Sequence, residues 1–309
     1  MNIMSKRYFF FAFSLLIIIP GIILLFVWGL PLSIDFAGGS QLDVQFPSGK
    51  APEPAQIVDL YKNLGIPNAE VLSSGKDELI VRSTALEQAT QTQVINAMNT
   101  TFGQKVVVRS WDSIGPTLAK EVTTRASMAV LVSSVILAIY IALVFRGVTH
   151  AMHYGICTVM ALIHDILVIL SITVIGGHFW GWQVDTLFLT ALMTVIAFSA
   201  QDTIVVFDRI RENNAIYKRV PFETLVNHSV VQSLSRSINT QIMAVDFLLL
   251  ALALFGGVTL REFAVILLVG MLSGSYSSGF NAAPLLIVWE KKEWKTWFHH
   301  KKADEVTVA

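Results

Sequence analysis

The chain holds one cysteine, Cys157, in 309 residues, which excludes an internal disulfide and any zinc site built from two or more thiolates. Charge is scarce too. Asp, Glu, Lys and Arg make up 14% of the residues, and 22 basic side chains balance 22 acidic ones, so no global field would recruit nucleic acid. No G-x-x-x-x-G-K-S/T occurs, because Gly49-Lys50 lacks the upstream glycine and the hydroxyl residue that cradle a phosphate. His-Glu-x-x-His and G-x-S-x-G are missing as well, which removes the metalloprotease and nucleophile-elbow arguments. His153 and His164 stand eleven residues apart, too weak a pattern for a metal, and His164 reads as a packed or hydrogen-bonded helix residue. With no nucleophile, metal or cofactor constellation, the expectation is a protein that is not an enzyme and uses no cofactor.

What the chain has is apolar length. A hydrophobic content of 54% and a mean hydropathy of +0.62 argue for a membrane protein. A helix crossing the hydrocarbon core needs roughly 20 apolar residues, and six stretches meet that test. They run from Phe9 to Leu30, Ser127 to Phe145, Met152 to Ile175, Thr186 to Phe207, Ile238 to Phe255 and Phe263 to Trp289. The first follows Lys6 and Arg7 as a signal peptide would, but its run is too long and no A-x-A site follows it, so an uncleaved helix is expected.

Basic residues in the short segments fall on one side. Two precede the first helix, Arg146 stands in the next turn on that side, five lie from Arg209 to Arg236 and five follow Trp289; the opposite short connections carry only Arg261. Both termini and the Arg209 to Arg236 loop are therefore expected in the cytoplasm, with residues 31–125 across the membrane. Trp180 and Trp182 at one interface, and Trp289, Trp294 and Trp297 at the other, suit aromatic belts. The expected organisation is a first helix over 1–30, an outer domain over 31–125, a five-helix bundle over 126–290 and a tail over 291–309.

In the outer segment the hydrophobic period changes. Gln41 to Phe46 alternates as a strand, and Glu53 to Leu64 puts Ile57, Leu60, Tyr61 and Leu64 on one helical face before Gly65. Ala69 to Ser73 and Glu78 to Arg82 read as a hairpin, and Thr84-Ala85-Leu86-Glu87 is a capping-box pattern opening a helix to about Thr101. Lys105 to Trp111 reads as the last strand. This β-α-β-β-α-β order fits a split-βαβ, ferredoxin-like α+β domain.

The chemistry left to find is ionisable groups in lipid. An Asp, Lys or Arg at a helix centre costs roughly 2.5–3.5 kcal/mol on translocon scales, so each should face protein or water and have a partner. Asp165, Asp202, Arg236 and Asp246 qualify, and Ser199, Thr203 and Thr240 on the same helices read as supporting polar residues. Asp202 and Arg236 lie on consecutive antiparallel helices at the same depth and can pair, as a proton relay requires. The alternative is that Asp202 only packs and Arg236 only snorkels to the interface. Asp208, Arg209, Arg211 and Glu212 read as an interfacial cluster. Gly270, Gly274 and Ser278 at i, i+4 and i+8 make a small-residue face for close helix packing.

Several motifs together resemble a known family over nearly the whole length. Ile34-Asp35-Phe36-Ala37-Gly38-Gly39 is similar to the G-I-D-F-x-G-G signature, with Ser33 for its leading glycine. Ser113-Ile114-Gly115-Pro116 resembles V-G-P, and Ala161-Leu162-Ile163-His164-Asp165 resembles A-L-x-H-D. The run from Phe198 to Asn213 is similar to G-Y-S-x-N-D-T-V-V-V-F-D-R-I-R-E-N; Ser235 to Thr240 resembles S-R-T-x-x-T, and Gly274 to Ser278 resembles G-T-x-S-S. These motifs are those of the SecF family, membrane subunits of the SecD and SecF complexes of bacterial protein export, in the resistance-nodulation-division superfamily.

The resemblance implies an accessory of the Sec translocase in the bacterial inner membrane that uses the proton motive force. Asp202 and Arg236 match the family's proton-pathway residues. The implied partners are SecD, which contributes a further carboxylate, the SecYEG channel, other Sec accessory membrane proteins, unfolded exported polypeptides and membrane lipid. SecA, a separate protein, handles ATP in this family. A half-sized lipid or drug exporter of the superfamily and a purely structural Sec scaffold are the rival readings. Ala197 and Gln201 depart from the family's glycine and asparagine, and Gln241-Ile242-Met243 replaces a Ser- and Thr-rich stretch. Asp246, where an apolar or hydroxyl residue is usual, is expected to restore polarity to the same seam; unchanged proton flux and export in Asp246→Ala would exclude that role.

Overall fold

A computed structural model describes residues 2–73, 76–146, 151–241 and 247–293. Asp246 and the tail from 294 onward therefore lie outside the described residues. The chain begins with α1 (Arg7–Trp28) and a short α2 (Ile34–Ala37), then β1 (Gly39–Gln45), α3 (Pro54–Asn63), β2 (Glu70–Ser73), β3 (Glu78–Ser83), α4 (Gln88–Phe102) and β4 (Val107–Ile114). The helices α5 (Pro116–Val144), α6 (Ala151–Trp180), α7 (Thr186–Ile216), α8 (Phe222–Gln241), α9 (Phe247–Phe255), α10 (Val258–Ser277) and α11 (Ala283–Glu290) follow.

Among the described residues, five helical runs are long and apolar enough to cross a membrane: Met4–Trp28, Pro116–Val144, Met152–Trp180, Thr186–Ile216 and Leu260–Glu290. They coincide with five of the six expected spans. The remaining one, Ile238 to Phe255, is divided between the end of the polar α8 and the nine-residue α9, and residues 242–246 between them are not described. The last span is helical throughout, with a π turn (Ser278–Ala282) joining α10 to α11. Pro284 supplies the cause: it has no N–H for the Phe280 carbonyl one turn earlier, so the ladder widens there.

Close helix contact needs absent side chains. A Cβ on Gly21 of α1 would sit 1.8 Å from Ser171 Oγ on α6, so only glycine allows that crossing. At one end of the bundle, Arg7 donates to Glu293 at 2.7 and 3.2 Å and to Glu223 at 3.0 Å, and Lys291 also bonds Glu223. This knot ties the start of α1 to the start of α8 and the end of α11.

Between α1 and α5 the chain forms a four-stranded sheet ordered β2-β3-β1-β4, with antiparallel neighbours throughout. Leu42, Val44 and Phe46 point to one face by the two-residue period, and Ile57, Leu60 and Tyr61 of α3 with Val94 and Met98 of α4 cover them. Expected strands and helices appear with small shifts, with one correction. Helix α4 starts at Gln88, with Glu87 rather than Thr84 at its N-cap and no side-chain cap bond. The intervening backbone has other partners: Leu86 N–H donates to Ser40 Oγ at 2.8 Å, and Ser113 Oγ donates to the Leu86 carbonyl at 3.1 Å.

Leu42→Ala should lower stability by roughly 2–5 kcal/mol by emptying a fully buried site, read as an earlier thermal unfolding transition of the purified chain. At the other end, Lys291 first and then Arg7 hold the Glu223 carboxyl below its ordinary value of 4.5. The stabilisation is full above that ordinary value and disappears as pH falls through the depressed one. Thermal unfolding of Glu223→Gln against pH should therefore show a flatter acid limb than the parent chain.

Candidate functional site

The ionisable groups inside the bundle meet at two carboxylates. Asp165 of α6 is fully buried. Its Oδ2 accepts from Ser199 Oγ of α7 at 2.5 Å and from Ser277 Oγ of α10 at 2.7 Å. Its Oδ1 accepts from Ser273 Oγ of α10 at 2.7 Å and lies 3.0 Å from the Nδ1 of His164. Four contacts thus surround the carboxyl group, which is what a polar group cut off from water demands. Thr203 is buried one turn further along α7 and donates to the Ser199 carbonyl at 2.9 Å.

Asp202 is half-buried on α7. Its Oδ1 accepts from Ser237 Oγ of α8 at 2.7 Å, and its Oδ2 accepts from Ser278 Oγ at 3.0 Å. The small-residue face of α10 makes these contacts possible. A Cβ on Gly274 would lie 3.1 Å from Ser199 Cβ, and one on Gly270 would lie 2.4 Å from a Val195 methyl. The backbones of α7 and α10 therefore approach closely, and short serine side chains reach across the gap.

Arg236 is exposed at one wall of a cleft of ≈ 40 Å³ that Asp202, Gln201, Ser237, Thr240 and Gln241 also line. That volume exceeds the roughly 10–15 Å³ an ordered water requires. Thr240 donates to the Arg236 carbonyl at 2.8 Å. The expected contact between Asp202 and Arg236 is not made in this conformation: among the described residues the two form no ion pair, and Asp202 takes the hydroxyls of Ser237 and Ser278 instead. A hydroxyl reaches the carboxylate without bringing a second charge out of water, which is the cheaper arrangement when the cation has solvent available.

Asp35, Phe36, Gly38 and Gly39 lie away from both carboxylates, at the joint between the bundle and the outer domain. Asp35 Oδ2 accepts from the Thr186 N–H at 3.2 Å, at the start of α7, where Asp185 also caps Phe188 N–H at 2.7 Å. Ser33 N–H donates to the Val184 carbonyl at 2.9 Å, and Val184 N–H donates to the Pro31 carbonyl at 2.7 Å. Thr123 of α5 donates to the Phe36 carbonyl at 3.1 Å. Gly39 has φ +135°, and a Cβ there would lie 2.6 Å from the Ser83 carbonyl, so the strand can begin this close to β3 only with glycine.

A cleft of ≈ 380 Å³ lies beside this joint, lined among others by Arg82 and the acids Asp35, Asp43, Asp112, Asp185 and Glu262. Burial lowers the Arg82 pKa against the opposing pull of Glu70, Glu262 and Asp43. Burial raises that of Asp185, and Asp35 adds to the shift.

Ser237 and Ser277 fell within the sequence motifs without being assigned to a carboxylate, and Ser273 lay outside them. The available signal was a serine-rich run beside a small-residue face, Ser273 to Ser278, opposite two intramembrane acids.

Comparison with known proteins identifies the architecture. Residues 94–292 match the family model described as protein export membrane protein SecD/SecF, C-terminal, and residues 23–46 match the SecD/SecF GG motif. The chain is 55% identical over 298 residues to the protein translocase subunit SecF of Anaerolinea thermophila, covering 96% of this chain and 97% of that one. It is 40% identical to the SecF of Thermobaculum terrenum, covering 98% of each. Against the protein translocase subunit SecDF of Bacillus subtilis it is 33% identical, covering 94% of this chain but 38% of that longer one. The crystal structure of SecDF from Thermus thermophilus, a translocon-associated membrane protein, superposes with a TM-score of 0.83 at 27% identity, covering 94% of this chain and 39% of that one. The chain is a multi-pass membrane protein that belongs to the SecD/SecF family of protein-export membrane proteins, on its SecF side.

Proposed function

We propose that the chain works beside a SecD partner as the half of a proton-driven device that promotes export of unfolded polypeptides through the SecYEG channel of a bacterial inner membrane. The reading takes six spans, with Ile238 to Phe255 as the fifth, and a split-βαβ, ferredoxin-like domain over residues 31–125. It puts both termini in the cytoplasm and that domain in the periplasm. Likeness to SecDF chains, in which one polypeptide covers more than twice this length, supports SecD as the missing half.

The observation that carries the reading is Asp202. Its carboxylate is half-buried between transmembrane helices, is held by hydroxyls and shares a water-sized cleft with Arg236. A hydroxyl accepts as readily as it donates, so Ser237 and Ser278 can hold either the ionised or the protonated acid. Ionised Asp202 attracts Arg236 across the cleft; protonated Asp202 does not. One proton crossing 100 mV releases about 2.3 kcal/mol, comparable to the 1–3 kcal/mol that typically couples two sites in a two-state movement. The route from that movement to the outer domain runs through Asp35, which caps the same helix α7 that carries Asp202.

In vesicles holding the chain with its SecD partner and the channel, Asp202→Asn should abolish the stimulation of export by a proton gradient while assembly persists. Arg236→Ala should lose roughly tenfold or more of the same stimulation. Wild-type stimulation in Asp202→Asn would contradict the reading.

A further inference from the structure

We propose that Asp165 is a second proton-carrying carboxylate of this device, coupled to Asp202 through the adjacent serines 277 and 278. The proposal rests on the reading of Asp202 given above and adds to it a residue for which packing alone is a poor account. Asp165 is fully buried, and among the described residues no Lys or Arg forms an ion pair with it. A permanently ionised carboxylate so placed would carry a standing desolvation penalty that, among the described residues, only a protonated His164 could offset. A carboxyl that gains and loses a proton needs neighbours that serve both forms, and hydroxyls do so.

The geometry supplies the means of switching. Ser277 Oγ has two acceptors within reach, Asp165 Oδ2 at 2.7 Å and the Gly274 carbonyl at 3.1 Å. Ser278 Oγ likewise has Asp202 Oδ2 at 3.0 Å and the Ser275 carbonyl at 3.0 Å. Each hydroxyl has one hydrogen and must choose. When Asp165 takes a proton on Oδ2, the new O–H donates to Ser277 Oγ, and the serine hydrogen turns to the Gly274 carbonyl. No covalent bond breaks in the protein, and the added proton stays on the carboxyl until it leaves. Asp202, Ser278 and the Ser275 carbonyl form the same device one residue along.

The two devices meet in the backbone. The Gly274 carbonyl is also the acceptor of the Ser278 N–H, so Ser277 turning toward it competes at the bond that positions Ser278. That competition sits where α10 opens into the π turn, the part of the helix whose hydrogen-bond register is already loosened. Proton occupancy at Asp165 thereby alters the hold on Asp202, and the reverse. Two other titratable groups lie near: His164 Nδ1 is 3.0 Å from Asp165 Oδ1 on the same helix, and Tyr276 of α10 faces the His164 ring at 6.1 Å.

The test uses the chain with its SecD partner in vesicles, comparing Asp165→Asn, Ser277→Ala and Asp202→Asn by gradient-driven export and by infrared difference spectra between acid and alkaline pH. Asp165→Asn should lose roughly tenfold or more of the stimulation and should lack one protonated-carboxyl band. Ser277→Ala should shift that band. If Asp165→Asn exports normally while Asp202→Asn does not, this proposal fails and the reading of Asp202 stands; if both export normally, both fail. Inactive Asp165→Asn with every carboxyl band intact would make Asp165 structural and would overturn the proposal. Should Asp165→Asn fail to assemble, spectra of Asp202→Asn with and without Ser277→Ala decide: a band that shifts supports the proposal, and none overturns it.

Discussion

The bundle depends on how it holds carboxyl groups where lipid would penalise them. Both acids are held by serine hydroxyls, and those of α10 reach because it lies close against α7. The Gly274 to Ser199 contact is therefore the constraint from which the rest follows. A larger residue at Gly274 would part the helices and leave Asp165 with fewer donors, exposing the full cost of an unsatisfied buried charge. Packing and polarity are one feature here, since the stripe that brings backbones together is continuous with the groups that satisfy the carboxylates.

The same economy connects the membrane to the outer domain. Helix α7 carries Asp202 along its length and is capped at its outer end by Asp35, from the segment that leads into β1. The cap and the pairing of residues 31–33 with Val184 tie the segment leading into β1 to this helix through short, directional bonds. The acidic cleft around Arg82 lies beside this joint, where a change in the angle between sheet and bundle would alter its width.

Much of this was legible in the chain. The alternation of Leu42, Val44 and Phe46 and the helical face of Ile57, Leu60 and Tyr61 describe the outer core directly, because burial follows local period. Six spans were read from apolar length; five coincide with long apolar helices among the described residues, while Ile238 to Phe255 takes in the end of the polar α8, residues outside those described and the short α9. The start of α4 was misplaced because Ser40 and Ser113, distant in sequence, claim the backbone at Leu86. Asp165 was recognised as a polar residue that needs a partner, but its centrality was hidden. Two of its donors, Ser273 and Ser277, lie 108 and 112 residues away, a relation that no local period records. Asp202 and Arg236 do share one cleft, as their positions on consecutive helices suggested. Among the described residues Asp202 is held by Ser237 and Ser278, not by Arg236.

The central claim is that Asp202 exchanges its hydroxyl partners for Arg236 as its proton comes and goes. Solid-state NMR on the reconstituted pair of subunits, with carboxyl-labelled aspartate and guanidinium-labelled arginine, measures the distance directly. The account predicts a contact within ion-pair range when Asp202 is ionised and separation across the cleft when it is protonated. An Asp202 to Arg236 distance that stays the same across that titration would contradict it.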